Sequence, residues 1–374
     1  MKIYVVPATY NEKDNIEKFI VMLEEEVFPK IKEHDMHIIV ADDFSPDGTG
    51  DIVKSLMKKY KNLGINQGEK KGLGAAYIRT MGEAIDKHDA DVVVSIDADF
   101  QFDPHDLPKF IKKLEEGYDM VVQTRYSNGG SIPENWPPQR KAFSMIANIF
   151  VRTAFLKFSI HDWTGGFRAI TKKVFEKESK EMSGFNGYIF QIAFLQKAVR
   201  DGFKIGEVPL HFSDRKLGSS KIAPLGYIMD IVKFVIVTSI KETLFGKFGK
   251  FLVVGGFGFI INAVILRLLV EFAHLTPEIA NLAGAAVAIF SNYNFNNLWT
   301  FKEHKISGVG MYFLKMVQFY ATSVFGVIFI QTGTIFIGDH VLGTKYYFFY
   351  FILGTGLLLI WNFAIYNRFI WKKK

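Results

Sequence analysis

Two aspartates and a glutamine follow an apolar run in the stretch VVVSIDADFQFDP. Side chains alternate between the two faces of a strand. If the extended chain continues past residues 92–96, Asp97, Asp99 and Gln101 therefore lie on one side. Three oxygen-bearing side chains on one side predict a site for a hard cation. The stretch contains no nucleophile with an attached base, which disfavours covalent catalysis here.

Polar residues also end the other strands predicted in about the first 222 residues. Apolar runs alternate there with amphipathic stretches, which predicts an α/β domain with a mostly parallel sheet. Ligands of such sheets gather beyond the carboxyl ends of the strands. The polar residues at those ends are Tyr10, Asn11 and Glu12 after the first strand, Asp42 and Asp43 after the second, Asp97 and Asp99 after the fourth, and Arg125 after the fifth.

The turns after these strands do not fit two common nucleotide-binding motifs. PATYNE, after the first strand, lacks the G-x-G-x-x-G of a dinucleotide-binding fold, and the sequence has no phosphate-binding P-loop. KKGLGAA has two glycines but no strand directly before it. The acids favour another arrangement, in which carboxylates bind base and ribose and a cation neutralises the diphosphate.

Composition narrows the class of protein further. The 374 residues include no cysteine, which excludes disulfides, thiolate catalysis and cysteine-ligated zinc. The net charge of +7 is spread along the chain and lies partly beside apolar segments, which favours membrane lipids or phosphate-bearing substrates over nucleic acid. The first residues form no charged region followed by an apolar core, so we expect no signal peptide and a cytoplasmic first domain.

The C-terminal third is dominated by long apolar segments and predicts an all-α membrane domain at 247–374. Lys247 and Lys250 precede its first segment, and Lys302 and Lys305 lie between its second and third. The excess of positive charge at these connections places both ends of the chain in the cytoplasm. The four expected spans cover residues 248–271, 278–300, 311–336 and 346–370.

Two further stretches are amphipathic and predict helices that lie at the membrane interface. In the first, at about 139–158, Lys141, Ser144, Asn148 and Arg152 recur at helical spacing among apolar residues. The second, at 223–246, is more apolar and is interrupted by charged residues. A helix of the soluble core is an alternative for both, and a membrane span is an alternative for the second.

The first 222 residues resemble a known family, the inverting GT-A glycosyltransferases, and among them the polyprenyl-phosphate sugar synthases typified by dolichyl-phosphate mannose synthase. The resemblance implies a GT-A, Rossmann-like domain over 1–222 and a glycosyltransferase activity. Eight stretches carry it, in family order: PATYNE, VADDFSPDGTGDI, KKGLGAA, SIDADFQFDP, TRYSNGG, WTGGFRAI, NGYIFQIAFLQKA and FSDRKLGSSK.

The same resemblance implies a role for each residue that matches a family motif. The sugar nucleotide would contact a set at the strand ends, Asp97, Asp99 and Gln101 would bind Mg²⁺ or Mn²⁺, and Arg140 and Ser144 would bind the phosphate of the lipid acceptor. Asp99, Arg125, Arg215 and Lys221 would be catalytic, the last three as phosphate clamps. The nucleotide-sugar set is Ala8, Tyr10, Glu12, Ala41, Asp43, Asp97, Ala98, Asp99, Gln101, Arg125, Arg215 and Lys221.

One position departs from the family pattern. The family often has an acid in the motif FQIE, whereas this chain has FQIA with Ala193. An acceptor-side role for that acid is therefore not expected here. The ionised phosphate of the lipid would serve as the nucleophile without a general base, because its second pKa is about 6.

The membrane half resembles the small four-helix domains associated with bacterial O-antigen glucosylation, through FLVVGGFGFIINAVI and SNYNFNNLWTF. Mannose transfer from GDP-mannose to a polyprenyl or dolichyl phosphate is the leading expectation for the whole chain. UDP-glucose as the donor stays open, as does a lipid-sugar translocator whose soluble part only binds. The sequence contains no Q-x-x-R-W motif, which disfavours a processive polysaccharide synthase, and it leaves the oligomeric state open.

Overall fold

The computed structural model describes residues 1–182, 184–212 and 225–372. The chain divides into two compact units, Met1–Ile236 and Val237–Lys374. The division falls inside one long helix, Leu225–Phe245. Phe234 and Val235 of this helix pack into an apolar core of the first unit, which explains why its first half belongs there.

A seven-stranded sheet forms the centre of the first unit, in the order β3-β2-β1-β4-β6-β5-β7. All paired strands run parallel except β6, which is antiparallel to both neighbours. The predicted α/β class with a mostly parallel sheet is confirmed. The strands are β1 (Lys2–Thr9), β2 (Asp35–Asp42), β3 (Leu63–Gln67), β4 (Val92–Asp97), β5 (Met120–Thr124), β6 (Arg168–Thr171) and β7 (Ile205–Pro209).

Apolar cores cover both faces of this sheet. In β1, Ile3 and Val5 enter one core while Tyr4 and Val6 enter the other, as the alternation of a strand requires. Burial on both faces explains why the central strands are continuous apolar runs. The helices of this unit are α1 (Lys13–Met22), α2 (Thr49–Leu56), α3 (Leu73–Asp86), α4 (Leu107–Glu115), α5 (Pro138–Ala154), α6 (Lys172–Glu178) and α7 (Gly187–Arg200), followed by α8 (Leu225–Phe245).

The sequence pattern assigned no residues to three of the strands, although its count of strands included one between β2 and β4. β3 reads LGINQ and β7 reads IGEVP, so each combines a glycine with polar or proline residues that are rare in strand interiors. β6 has only four residues and begins at Arg168, which is buried. Their pairing with stronger neighbours outweighs these weak local preferences.

The second unit is helical and is formed by α9 (Lys247–Glu271), α10 (Pro277–Phe295), α11 (Val309–Phe325), α12 (Thr332–Leu342) and α13 (Tyr347–Ile365). These helices occupy the positions of the four expected spans, with α11 and α12 forming parts of the third. Within the described residues, two helical segments are long and apolar enough to cross a membrane, Lys247–Glu271 and Val309–Leu342. The number of spans stays a prediction.

Asn297 and Trp371 organise an aromatic core in the second unit. The Trp371 indole Nε1 donates to Asn297 Oδ1 at 2.9 Å, and the backbone N–H of Ile306 donates to the same oxygen at 2.8 Å. The Trp371 ring stacks on Phe301 with 4.6 Å between the ring centroids. Residues from widely separated parts of the unit therefore meet at one buried cluster, which also contains Phe251, Tyr293, Phe319, Tyr366 and Ile370.

Candidate active site

Strand register places three of the expected nucleotide-site residues side by side. Ala8 at the end of β1 pairs with Ala41 of β2 on one side and with Asp97 of β4 on the other. Tyr10 and Asp43 each lie two residues beyond this line. The backbone N–H of Asp43 donates to Thr9 O at 3.4 Å, so the segments that follow β1 and β2 stay adjacent past the ends of these strands. The sheet thus assembles the expected site at its carboxyl edge.

The neighbouring aspartates at the end of β2 have different tasks. Asp42 is fully buried, and its carboxylate accepts hydrogen bonds from Thr9, Ser45 and the Gln67 side chain, at 2.6 to 3.3 Å. These bonds tie β2 to both neighbouring strands and to the following loop. Asp43 instead faces Arg79, whose Nη2 lies 3.2 Å from Asp43 Oδ1. Asp43 therefore stays the candidate for nucleotide contact.

Arg79 of α3 was not identified from the sequence. Its Nε donates to Asn66 Oδ1 at 2.5 Å, and its Nη2 donates to Asp43 Oδ1. A Cβ at Gly68 would collide with the guanidinium, so the glycine after β3 provides the space that Arg79 occupies. A single arginine on an amphipathic helix carries no distinguishing sequence signal, because most such arginines lie in solvent.

Tyr10 and Glu12 follow β1 in a turn where Asn11 has a φ of 61°. Tyr10 is 41% exposed, and Lys70 Nζ lies 3.2 Å from the centroid of its ring. The carboxylate of Glu12 accepts from Asn15 Nδ2 at 2.8 Å, within the first turn of α1. Tyr10 thus presents an aromatic face at the sheet edge, while Glu12 is partly engaged by its own helix.

Asp97 and Asp99 flank the turn that follows β4. Tyr77 donates to Asp97 Oδ1 at 3.3 Å, and burial, followed by the charge of Asp97, raises the pKa of Tyr77 well above its usual value. Phe100 has a φ of 58°, and the backbone N–H of Gln101 donates to Asp99 Oδ1 at 3.1 Å. The tight turn holds the acids of the expected metal set in one short segment.

The donor chemistry of this segment fits a divalent cation. Asp97, Asp99 and Gln101 offer carboxylate and amide oxygens, which are the ligands that Mg²⁺ and Mn²⁺ accept. Among the described residues, no group of three or more His, Cys, Asp or Glu side chains forms a metal cluster. A protein that provides two carboxylates depends on substrate phosphates and water for the remaining ligands, which is common for Mg²⁺.

Arg125, expected to clamp phosphate, is held by a buried acid. Its Nε and Nη2 donate to the two oxygens of Asp162 at 2.7 and 2.9 Å, and Nη2 also donates to Thr164 Oγ1 at 2.7 Å. Burial opposes the charge, but the carboxylate outweighs it and raises the pKa of Arg125, while Arg125 keeps the pKa of Asp162 below its usual value. These contacts direct the guanidinium of Arg125 at protein oxygens, whereas an arginine that clamps phosphate directs its N–H groups at the ligand.

A second buried arginine, Arg168, was also not identified from the sequence as a site residue. It donates to the backbone carbonyls of Gly165, Gln191 and Trp163 at 2.7 to 3.1 Å. Burial lowers the pKa of Arg168 to about 9. Arg168 thus fixes the loop WTGG against the start of α7, and Gly166 of that loop lies beside Asp97, since a Cβ there would be 3.4 Å from Asp97 Oδ2.

The expected acceptor residues lie on α5. Arg140 stacks over the ring of Trp136, with its Cζ 3.8 Å from the centroid, and Trp136 is buried. Ser144 shares a hydrogen bond with the hydroxyl of Tyr126, which directly follows Arg125. The hydroxyl of Ser144 is therefore tied to the carboxyl end of β5.

Phe212 connects the segment directly before α5 to the acidic turn. Its ring centroid lies 4.9 Å from that of Phe102, which follows Gln101, and 5.7 Å from that of Trp136. Arg125 Cζ lies 5.3 Å from the same ring. One aromatic side chain, not identified from the sequence, therefore joins three parts of the expected site.

The outer surface of α5 is apolar. Phe143, Ile146 and Ile149 are more than half exposed, whereas Asn148 is buried and donates to Ser144 O while accepting from the backbone N–H of Trp163. The polar residues that recur along this helix therefore include one that faces the protein rather than water. The exposed apolar surface agrees with a helix at a membrane interface, which stays a prediction.

Four positions from the sequence analysis remain, three of the expected set and the departure at Ala193. Ala98 is buried behind the acidic turn. Ala193 lies fully buried in an apolar core, which explains why no acid is accommodated there in this chain. Arg215 and Lys221 lie outside the described residues.

Two family models match the chain. The model described as glycosyl transferase family 2 matches residues 4–178, and the model described as GtrA/DPMS, transmembrane domain, matches residues 250–371. The second match, together with the two apolar helices described above, makes this a membrane protein.

Curated relatives extend over both units. A dolichol-phosphate mannosyltransferase from Pyrococcus furiosus is 31% identical over 346 residues, which cover 91% of this chain and 93% of the relative. A polyprenol monophosphomannose synthase from Mycolicibacterium smegmatis is 35% identical over 221 residues, 59% of this chain and 80% of the relative. A solved mannosyltransferase from Pyrobaculum calidifontis, in complex with GDP-Man and Mn²⁺, is 15% identical with a TM-score of 0.40, over 98% and 87% of the two chains. The chain belongs to the dolichol-phosphate mannosyltransferase family of glycosyltransferases.

Proposed function

We propose that this enzyme transfers mannose from GDP-mannose to a polyprenyl phosphate, such as dolichyl phosphate, with inversion at the anomeric carbon. The observation that carries the proposal is the contact of Phe212 with both Phe102 and Trp136, because it joins the acidic turn to the segment directly before α5, on whose tryptophan Arg140 stacks. Curated relatives named for mannose transfer to polyprenyl phosphates support the choice of sugar and acceptor.

The donor binds at the carboxyl edge of the sheet. Ala8, Ala41 and Asp97 are register partners at this edge. In this scheme Tyr10 and Asp43 contact the nucleoside, and Asp99 and Gln101 contact the diphosphate through the cation. Asp97, Asp99 and Gln101 would hold Mg²⁺ or Mn²⁺, which supplies neutralisation of the charge that develops on the leaving diphosphate.

Arg125 acts in this scheme as a positioning residue for the end of β5. Its guanidinium already binds Asp162 and Thr164. Removing one partner of a buried ion pair of this kind destabilises the folded protein. Family resemblance assigns Arg215 and Lys221 to the donor phosphates. Both residues lie outside the described part of the chain.

The acceptor needs no general base. A phosphate monoester is largely ionised at neutral pH because its second pKa is about 6. Its oxygen forms a bond to the anomeric carbon while the bond from that carbon to the nucleoside diphosphate breaks. Arg140 and Ser144 bind the phosphate, Arg140 through a planar group suited to two oxygens at once. The exposed Phe143, Ile146 and Ile149 support a position of α5 at the lipid surface from which the acceptor emerges.

The membrane unit crosses the bilayer several times, with the catalytic unit and both termini in the cytoplasm. The support is the distribution of charge, since Lys247, Lys250, Lys302 and Lys305 lie at one set of connections between the apolar segments. This orientation places the enzyme where soluble sugar nucleotides are available.

One experiment tests the function directly. Purified full-length protein is incubated with GDP-mannose or UDP-glucose and a short polyprenyl phosphate, and the lipid product is identified by mass spectrometry. We expect polyprenyl-phosphate mannose from GDP-mannose only. A glucosylated lipid from UDP-glucose would replace the donor assignment, and nucleotide binding without any product lipid would indicate a binding protein or translocator.

A further inference from the structure

A buried tyrosine of α3 contacts the first acid of the expected metal set. Tyr77 is fully buried in an apolar core of the first unit, and its hydroxyl donates to Asp97 Oδ1 at 3.3 Å. Removing a hydroxyl from water is unfavourable unless the group finds a hydrogen-bond partner. The carboxylate of Asp97 provides that partner, so an element outside the acidic turn reaches one of its side chains.

The start of α7 restricts the ring of Tyr77. The ring stacks on that of Phe190, with 6.2 Å between the centroids and 21° between the planes. About one turn earlier in α3, Gly74 leaves no room for a side chain, because a Cβ there would lie 2.3 Å from the carbonyl oxygen of Phe185. α3 therefore lies close against the segment that leads into α7. The position of the Tyr77 hydroxyl is determined by the packing of two helices.

The second carboxylate oxygen of Asp97 has different surroundings. A Cβ at Gly166 would be 3.4 Å from Asp97 Oδ2, so a glycine backbone lies beside this oxygen. Ser95 of β4 donates to Gly166 O at 2.7 Å and attaches this glycine to the strand that carries Asp97. A hydroxyl thus engages Oδ1, whereas Gly166 adds no side chain beside Oδ2.

We propose that Tyr77 is a positioning residue for the divalent cation, which holds Asp97 through Oδ1 and leaves Oδ2 for the ion. A side chain that is fixed before binding loses less conformational entropy when the ligand arrives. Loss of a hydrogen-bonding partner behind a metal ligand weakens metal affinity or activity by about 10- to 100-fold. The inference rests on the proposed function, since it assumes that Asp97 binds the cation.

Binding of Mn²⁺ to the full-length protein tests the inference without relying on catalysis. Mn²⁺ is titrated into the protein with saturating GDP, and the free ion is measured by electron paramagnetic resonance. Tyr77→Phe removes the hydroxyl and keeps the ring that stacks on Phe190. We expect the dissociation constant for Mn²⁺ to rise about tenfold in this variant.

Tyr60→Phe is the matched control. It also removes a tyrosine hydroxyl that donates to a carboxylate, in this case Glu25 Oε1 at 2.6 Å. Glu25 does not belong to the expected site. The dissociation constant for Mn²⁺ should therefore equal that of the unaltered protein, and circular dichroism checks that both variants are folded.

A double variant shows whether Tyr77 acts through Asp97. Asp97→Asn removes one charge of the expected metal set and should weaken Mn²⁺ binding by itself. If the tyrosine acts only through that carboxylate, Tyr77→Phe should add no more than about twofold to the effect of Asp97→Asn. Excess Mn²⁺ should also restore the rate of mannose transfer by Tyr77→Phe to within about threefold of the unaltered rate, because mass action refills a weakened site.

Three outcomes would overturn the inference. An unchanged dissociation constant for Mn²⁺ in Tyr77→Phe would show that the hydroxyl does not support the ion. A lowered rate that excess Mn²⁺ does not restore would show a role in packing alone. Additive effects of the two substitutions would show that Tyr77 acts elsewhere. If the unaltered protein binds no Mn²⁺ in the presence of GDP, the metal assignment of the proposed function fails as well, whereas equal binding by Tyr77→Phe and the unaltered protein refutes this inference alone.

Discussion

Asp97 and Asp99 are separated by one residue but are held in different ways. Asp97 accepts from Tyr77 of α3, so a second element fixes its carboxylate. Asp99 accepts from the backbone N–H of Gln101 within its own turn, and the turn depends on the positive φ of Phe100. Asp99 belongs to the expected metal set, and its replacement tests the metal assignment.

We expect Asp99→Ala to lower the rate of mannose transfer at least about 100-fold, the scale of losing one charge-stabilising group. Initial rates with Mg²⁺ and Mn²⁺ check the activity, and circular dichroism checks the fold. Asp103→Ala, an exposed acid four residues further on, is the control. A near-normal rate in Asp99→Ala would remove this residue from the metal set.

Tyr126 should act on the acceptor through Ser144. Tyr126→Phe removes the hydroxyl that shares a hydrogen bond with Ser144 and keeps the ring. We expect the KM for the lipid phosphate to rise about 2- to 10-fold, the value of one hydrogen bond, with the KM for GDP-mannose unchanged. Ser144→Ala should give a similar effect, and the double variant no more than either alone. Additive effects, or effects on the donor alone, would contradict the acceptor assignment of Ser144.

Single residues show where sequence patterns stop being informative. Alternation along β4 predicts that Asp97 and Asp99 share a segment, because the signal is local. Asp42 and Asp43 are indistinguishable in sequence, and only the partners in β1, β3 and α3 give them different tasks. The chemistry of Arg125 depends on Asp162, 37 residues away, a distance that no local pattern spans.

At the scale of elements, α5 shows that the amphipathic pattern of a helix does not reveal which of its faces is exposed to water. The sequence predicts an amphipathic interface helix, and the structure has the helix at Pro138–Ala154. Asn148 of the polar stripe is buried, where it binds Trp163, while Phe143 is 69% exposed. In water such exposure would be unfavourable, whereas at a lipid surface it stabilises the bound state.

The packing of α6 against α7 contains a buried acid that makes stability depend on pH. Glu178 is 1% exposed, and burial, followed by the nearby charge of Asp201, raises its pKa to about 7. The pKa is higher in the folded chain than in the unfolded chain. The stability that Glu178 contributes is therefore fully present below about pH 4.5 and is lost as the pH rises through about 7.

We expect Glu178→Gln to remove this dependence. Between pH 5 and 8 the unaltered protein should lose up to about 3 kcal/mol of stability relative to the variant. Thermal unfolding followed by tryptophan fluorescence at several pH values measures the difference. Glu176→Gln, an exposed acid on the same helix, is the control. Parallel pH profiles for Glu178→Gln and the unaltered protein would contradict the expectation.

At the scale of the whole molecule, the expected site and the expected membrane spans lie in separate units. All strands and every described residue of the expected site lie within Met1–Ile236. The composition of the chain predicts this division, because apolar content rises sharply near residue 248. It does not predict that the first half of α8 belongs to the catalytic unit, since that depends on the burial of Val235.

A chain that ends after Phe245 should therefore keep its nucleotide site. We expect the dissociation constant for GDP in the truncated protein to stay within about threefold of the full-length value, because every described residue of the expected site precedes the cut. Calorimetry measures binding, and circular dichroism confirms that the sheet is formed. A folded truncated protein that does not bind GDP would show that the membrane unit contributes to donor binding.

The position of Trp371 near the end of the sequence determines which unit can finish folding first during synthesis. Its buried ring packs on Phe301 and bonds to Asn297, and the same cluster reaches back to Phe251. Contacts between such distant positions form only after the last participating residue has left the ribosome. The catalytic unit, whose cores lie wholly upstream, can fold while the membrane helices are still being inserted. The cluster around Trp371 stays incomplete until translation has passed residue 371. If the ribosome stalls shortly before that residue, the nucleotide site should therefore be formed while the aromatic cluster of the membrane unit is still incomplete.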